Sequence, residues 1–179
     1  MWLFGPLKVK ITPPDFVTTQ IDILFSKEFV SNARQQFVAL AERNPIFRNI
    51  QEEDFVRERQ RIFFYLLTLA WAQSVPLSVF VENPLIWEKD NRGAELSTGV
   101  YSRCLTKAQG AGVTTFAYIT DLFLSQVLTA ASAHTGPDYE SLRVSFGTEF
   151  QNFYALYRKG MKRYRFVSSR EESNYTLRR

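Results

Sequence analysis

The stretch from Pro137 to Tyr164, PDYESLRVSFGTEFQNFYALYRKGMKRY, decides the fold of this 179-residue chain. Its apolar side chains recur at steps of three and four residues, which is the repeat of one face of an α-helix. The members of this aromatic stripe are Tyr139, Leu142, Phe146, Phe150, Phe153, Tyr157, Met161 and Tyr164. The pattern predicts a long helix that begins near Pro137 and Asp138 and packs one face against a core.

Similar helical patterns fill much of the chain before this stretch. Thr12 and Ser26 predict the starts of the first two helices, because a hydroxyl at that position accepts a hydrogen bond from a free helix amide. A third helix is expected to open between residues 49 and 54, and its apolar face widens along its length, which is typical of a central, buried helix. Further helices are predicted over 94–109 and from residue 114 or 115 to about 128.

No segment alternates apolar and polar residues over a useful length, so the sequence predicts no sheet. The segment from Leu7 to Ile11 can be extended, but a single strand makes no sheet. We therefore predict an all-α fold, a single-domain orthogonal or up-down helical bundle of about five to six main helices. The domain is expected to span residues 1–167, followed by a mobile, polar C-terminal tail over 168–179.

The amino-acid composition limits the class of protein but says little about its function. The chain is 45% hydrophobic and 22% charged, which is typical of a globular domain, and it holds 16 Phe, 8 Tyr and 3 Trp. These rings predict a packed aromatic core, with an aromatic cavity or partner surface as the alternative. The one cysteine excludes an intramolecular disulfide and hence a disulfide-stapled secreted domain, so we expect a soluble cytoplasmic protein.

One uncharged stretch of 20 residues, from Ile62 to Val81, has the length of a transmembrane helix and follows three arginines. Pro76 would break such a helix. The most apolar part, residues 62–72, covers only 11 positions, which suits a buried core helix. We therefore predict no membrane span.

The sequence offers no set of residues that predicts catalysis, a cofactor or a metal site. His134 is the one histidine and has no visible partner for a catalytic triad, so a position near a helix C-terminus explains it better than a general base does. Cys104 lies near Arg103 and Lys107, which can favour a thiolate, although an inert buried cysteine is the commoner case. Candidate carboxylates for glycoside chemistry give no preferred pair; they are Glu52, Glu53, Asp54, Glu82, Glu88 and Asp90.

The net charge of +4 is concentrated at the C-terminal end of the chain. Residues 158–179 hold eight Lys and Arg against two Glu, a net charge of +6, which leaves −2 on the other 157 residues. Lys159, Lys162, Arg163 and Arg165 are therefore the candidate contacts for an anionic group. A solvated helix end is the ordinary explanation of such residues. Nucleic acid is not the expected partner, because the body of the domain has no evident basic face.

Three functions fit these observations, in decreasing order of preference. The first is a non-catalytic interaction or regulatory protein that acts through a helical surface or self-association, with a protein partner or a second copy of the chain. The second is a small-molecule-binding protein, or an enzyme, with an aromatic pocket. The third is nucleic-acid binding through the basic C-terminal segment. The candidate contacts for a partner or a pocket are Phe150, Phe153, Tyr157 and Tyr164.

Overall fold

The computed structural model describes residues 9–76, 78–79, 92–93, 96, 114–128 and 136–167. Over these ranges the bounded elements are five α-helices, one short 3-10 helix and two strands. In chain order they are β1 (Val9–Ile11), α1 (Pro13–Leu24), α2 (Lys27–Arg43), the 3-10 helix (Pro45–Asn49), α3 (Glu52–Ser74), α4 (Thr115–Val127), α5 (Pro137–Met161) and β2 (Tyr164–Phe166). The predicted all-α, single-domain fold is confirmed.

Side-chain caps begin three of the described α-helices, at residues that the sequence indicates. Thr12 Oγ1 accepts a hydrogen bond from the Asp15 amide at 3.3 Å, and Ser26 Oγ accepts one from the Phe29 amide at 3.1 Å. Thr114 caps α4 in the same way. Each hydroxyl satisfies an amide that has no partner within its own helix, which fixes where the helix begins.

Helix α3 lies at the centre of the fold, as its apolar pattern predicts. It contacts α1, α2, α4 and α5, and it ends at Ser74, two residues before Pro76. Its buried side chains are Phe55, Val56, Glu58, Ile62, Phe63, Phe64, Leu66, Leu67, Ala70 and Trp71. The charged member of this set, Glu58, forms a salt bridge with Arg61, which is how a buried charge is tolerated. Among the described helices, none combines the length and the apolar character needed to cross a membrane.

The core is built from aromatic rings that meet between α3, α4 and α5. The ring centroid of Phe123 in α4 lies 5.0 Å from that of Phe146 and 5.3 Å from that of Phe150. Phe55 of α3 lies 6.0 Å from Phe123. All four rings are at most 2% exposed. The buried part of the aromatic stripe is therefore a core face, as the helical periodicity predicts.

A small parallel sheet joins the two ends of the described chain and corrects two expectations. Strands β1 and β2 pair with Val9 opposite Tyr164 and Ile11 opposite Phe166. The prediction that Tyr164 continues the helical stripe is wrong, because α5 ends at Met161. The expectation that the extended segment near Ile11 lacks a partner strand is also wrong. Strand pairing between distant segments depends on tertiary contacts that a local pattern does not contain.

Aromatic packing holds β2 against the helices. Phe16 of α1 lies 5.4 Å from Tyr164 and 5.3 Å from Phe166, measured between ring centroids. Trp71 of α3 lies 4.8 Å from Phe166. The two strand rings thus pack near the start of α1 and near the end of α3.

Some predictions concern residues outside the described ranges and stay predictions. The helix expected over 94–109 has one described residue, Leu96, and the tail expected over 168–179 has none.

Candidate functional site

Helix α5 borders an open groove on the side that it shares with α3. This α3–α5 groove has a volume of about 430 Å³. Its lining residues are Phe63, Ser145, Thr148, Glu149, Asn152, Phe153 and Leu156. Six of these seven belong to α5 and recur at steps of three and four, so they lie on one helix face. The groove therefore runs along the helix axis, in the direction that an added helix would take.

Aromatic rings form the floor of the α3–α5 groove. The ring centroids of Phe63 and Phe153 lie 4.1 Å apart, and Tyr157 lies 4.5 Å from Phe153. Leu156 also lines the groove and keeps 68% of its surface exposed. A leucine this exposed, next to a half-buried phenylalanine, provides apolar area that a partner can remove from water.

A fixed polar group lies within the groove lining, at Glu149. The Arg59 guanidinium donates a hydrogen bond to Glu149 Oε1, and Gln36 Nε2 donates to Glu149 Oε2 at 3.0 Å. The Arg59 guanidinium also lies 4.7 Å from the centroid of the Phe63 ring, a cation–π contact. Arg59 is largely buried, with 11% of its side chain exposed. The Glu149 carboxylate is therefore held in one orientation by groups from α2 and α3.

Sequence reasoning missed this polar group. Arg59 and Glu149 are 90 positions apart, and each has an ordinary place on the polar side of its own helix. Charge spacing detects pairs within one helix, three or four residues apart, but not pairs between helices. The charged residues carry no local signal that could have found the contact.

A second open groove, the α4–α5 groove, has a volume of about 290 Å³ and is more polar at its rim. Its lining residues are Thr114, Phe116, Ala117, Thr120, Glu140, Arg143, Val144, Gly147, Thr148 and Gln151. Beside it, Arg143 donates two hydrogen bonds to Asp121, at 2.6 and 3.1 Å. This pairing raises the pKa of Arg143, first through the hydrogen bond and then through the charge of Asp121. Burial, followed by the negative charge of Asp121, raises the pKa of the Tyr139 phenol.

The four aromatic candidates from the sequence lie in three different settings. Phe150 is fully buried, with no exposed surface, so it offers no area to a partner. Phe153 lines the α3–α5 groove. Tyr164 is half-buried in β2 against Phe16. The rings of Phe153 and Tyr157 therefore lie together, whereas Phe150 belongs to the core and Tyr164 packs on Phe16.

The Tyr157 hydroxyl joins α5 to α1. It donates a hydrogen bond to Gln20 Oε1 at 2.6 Å, and Gln20 is 7% exposed. Burial, and secondarily the neighbouring Tyr164 phenol, raises the pKa of Tyr157 well above its usual range. The phenol is therefore neutral at physiological pH and acts as a donor between two helices, while its ring packs on Phe153.

The four candidate anion contacts lie together after the groove. Lys159, Lys162, Arg163 and Arg165 are all exposed, at the last turn of α5 and in the segment that leads through β2. Arg158 points elsewhere, with its guanidinium 5.8 Å from the Tyr154 ring centroid. The four candidate cations thus lie in the last turn of α5 and in the short segment that follows it.

The described residues provide little for catalysis. His134 and Cys104 lie outside them, as do Glu82, Glu88 and Asp90. Of the other candidate carboxylates, Glu52 pairs with Arg34 at 2.9 Å and Asp54 pairs with Arg57. Within the described ranges, no group of three or more His, Cys, Asp or Glu side chains could hold a metal ion.

Comparisons with protein-family models, with curated proteins and with solved structures find no match to this chain.

Proposed function

We propose that this protein is a non-catalytic helical interaction protein that binds a helix of a partner protein in the α3–α5 groove. The observation that carries the proposal is the exposure of Leu156 at 68% beside the aromatic floor of Phe63 and Phe153. Amphipathic helices bind by laying an apolar face into such a groove. The groove follows the axis of α5, so an added helix could pack along it as helices pack within bundles.

The shape of the groove favours a macromolecular partner over a small molecule. Sites for small ligands usually enclose most of the ligand surface. The α3–α5 groove is open along its length, and the rings of the core next to it, such as Phe123 and Phe150, pack directly on one another at 5.3 Å. A cytoplasmic location is part of the proposal, and the single cysteine supports it because secreted domains of this kind usually carry disulfides.

The test uses a displayed library of helical peptides, each about 18 residues long, with leucines fixed on one face and polar residues randomised. Selected peptides are titrated against the wild-type protein and against Leu156→Asp. Loss of a buried leucine contact costs about 2 kcal/mol, and a desolvated carboxylate adds to the cost, so we expect binding at least about thirtyfold weaker.

Val144→Asp is the matched control. Val144 is also 68% exposed and also lies on α5, but it lines the α4–α5 groove. We expect it to change peptide affinity by less than about twofold, because exposed substitutions away from a contact have small effects. Peptides that bind Leu156→Asp as tightly as Val144→Asp would refute the proposal. Peptides whose binding is weakened by Val144→Asp alone would also refute it.

Self-association is a separate outcome of the same test. A dimer in light-scattering chromatography that Leu156→Asp converts to a monomer would identify a second copy of the chain as the occupant and would overturn the proposal of a different partner.

A further inference from the structure

The exposed cations at the end of α5 have no carboxylate partner among the residues that the structure describes. Elsewhere in the described part of the chain, several arginines contact a carboxylate; they are Arg34, Arg57, Arg59, Arg61, Arg92 and Arg143. Lys159, Lys162, Arg163 and Arg165 are exposed and contact no carboxylate within the described residues. These four cations, which we call the basic end, are therefore available to an anionic group from outside.

The basic end continues the line of the α3–α5 groove. Lys159 follows Leu156 by three residues, so it lies on the same helix face about 4.5 Å further along the axis. The turn after α5 is held in place, because the Val9 amide donates a hydrogen bond to the Arg163 carbonyl at 2.9 Å. Lys159 thus places positive charge on the helix face that lines the groove, and Lys162 and Arg163 follow it directly after the end of α5.

We infer that the occupant of the α3–α5 groove is an acidic amphipathic helix. Its apolar side chains lie over Phe153 and Leu156, and its carboxylates face Lys159 and Arg163. This inference rests on the proposed function and names the chemistry of its partner. Opposite charges at the rim of an interface set the orientation of the partner and speed its association.

The helix dipole does not account for the whole basic end. A cation such as Lys159 in the last turn is stabilised by the negative end of the helix. That effect falls off within the last turn. Arg165 lies in β2, four residues beyond Met161, the last residue of α5, so the helix dipole does not explain it.

An acidic protein fits this surface better than a nucleic acid does. Single-stranded nucleic acids need exposed rings on which bases stack. The rings nearest the basic end, Tyr164 and Phe166, pack on Phe16 at 5.4 and 5.3 Å and are half-buried. The groove that adjoins the cations is apolar at its floor, which suits leucine side chains and not a phosphate backbone.

The randomised polar positions of the peptide library test the inference. We expect selected peptides to carry Asp and Glu at least about threefold more often than Lys and Arg at one end of the helix. Combined Lys159→Glu and Arg163→Glu substitutions should weaken their binding about tenfold, and so should raising the NaCl concentration from about 50 to about 500 mM, because rim charges are screened.

Combined Lys27→Glu and Arg43→Glu substitutions are the matched control. Lys27 and Arg43 are exposed cations of α2 that contact no carboxylate within the described residues. We expect this control to change affinity by less than about twofold. If charge reversal lowers the melting temperature, Lys159→Gln with Arg163→Gln replaces it, and about threefold weaker binding is then expected.

The outcomes separate the inference from the proposed function. Peptides that require Leu156 but show no acidic preference, or that bind the charge-reversed protein as tightly as wild type, overturn the inference alone. Peptides that ignore Leu156 overturn the proposed function. Submicromolar binding of a single-stranded oligonucleotide at about 150 mM salt, lost on charge reversal and without acidic peptide selection, would assign the basic end to nucleic acid instead.

Discussion

Tyr157→Phe removes one oxygen atom and tests how the two ends of the fold are joined. The Tyr157 hydroxyl donates a hydrogen bond to Gln20 Oε1 at 2.6 Å, between residues 137 positions apart. The phenylalanine ring can keep the contact with Phe153 at 4.5 Å, because the substitution changes no carbon position. The experiment therefore isolates the hydrogen bond from the packing of the ring.

The expected loss follows from the burial of the acceptor. Gln20 is 7% exposed, so its oxygen cannot recover a water partner when the hydroxyl is removed. Leaving a buried acceptor unpaired costs about 1–3 kcal/mol. For a chain of this size, each kcal/mol lowers the melting temperature by about 2–4 °C, so we expect a fall of about 2–12 °C.

The assay is thermal and urea unfolding of a double-mutant cycle. Gln20→Met removes the acceptor, and the double variant removes both polar atoms. Because replacing both partners with apolar groups is nearly neutral, the double variant should lose less than the sum of the two single losses, by about 1–2 kcal/mol. The difference measures the coupling between the two side chains.

The same phenol makes the stability of the protein depend on alkaline pH. Burial raises the pKa of Tyr157 in the folded state, whereas in the unfolded chain a tyrosine ionises near pH 10. The unfolded state therefore loses its proton first, and stability from this group is complete below pH 10 and falls as the pH rises above it. The free energy of unfolding of wild type exceeds that of Tyr157→Phe at neutral pH. At about pH 11 this difference should be smaller by about 1.4 kcal/mol.

Two results would contradict this reasoning. One is a Tyr157→Phe variant with the same melting temperature as wild type at neutral pH, which would mean that Gln20 finds another donor. The other is an advantage of wild type that stays constant between about pH 8 and pH 11, which would mean that the phenol ionises equally in both states.

Three further predictions concern the core, the helix α5 and the polar group beside the groove. Phe150→Ala should cost about 3–5 kcal/mol in urea unfolding, because the ring is fully buried, and a loss below about 1 kcal/mol would contradict a core role. Gly147→Ala should raise the free energy of unfolding by about 0.5–1 kcal/mol, because alanine favours a helix more than glycine does. The new Cβ would lie 3.5 Å from Thr120 Oγ1, which is an ordinary contact. A lower melting temperature would show that α4 and α5 are packed too closely there for a methyl group. Arg59→Met should cost about 1–3 kcal/mol by chemical unfolding, because Glu149 loses a charged donor while keeping some contact with water; an unchanged midpoint would show that water replaces the pair.

The parts of the fold that were predictable from sequence are those with a local cause. The cap at Thr12 depends on an amide three residues away, and the stripe through Phe146 and Phe150 depends on neighbours three and four residues away. The candidate cations at Lys159 and Arg163 are exposed, as expected of charged side chains at a helix end. The α3–α5 groove was less predictable from sequence. The periodicity of one helix does not show which of its exposed residues, such as Leu156, will line a groove together with Phe63 of another helix.

The sequence by itself determined that the chain is helical and where several helices begin, because these features depend on residues within about one helical turn. It also determined where the positive charge accumulates, because that follows from the number of charged residues in each segment. Only the tertiary structure decided that Val9 pairs with Tyr164, that Arg59 holds Glu149, and that Phe63 of α3 lines a groove together with residues of α5. Each of these joins segments far apart in the chain. Such contacts form because the packed core brings whole helices together, and no local pattern of residues records which faces will meet.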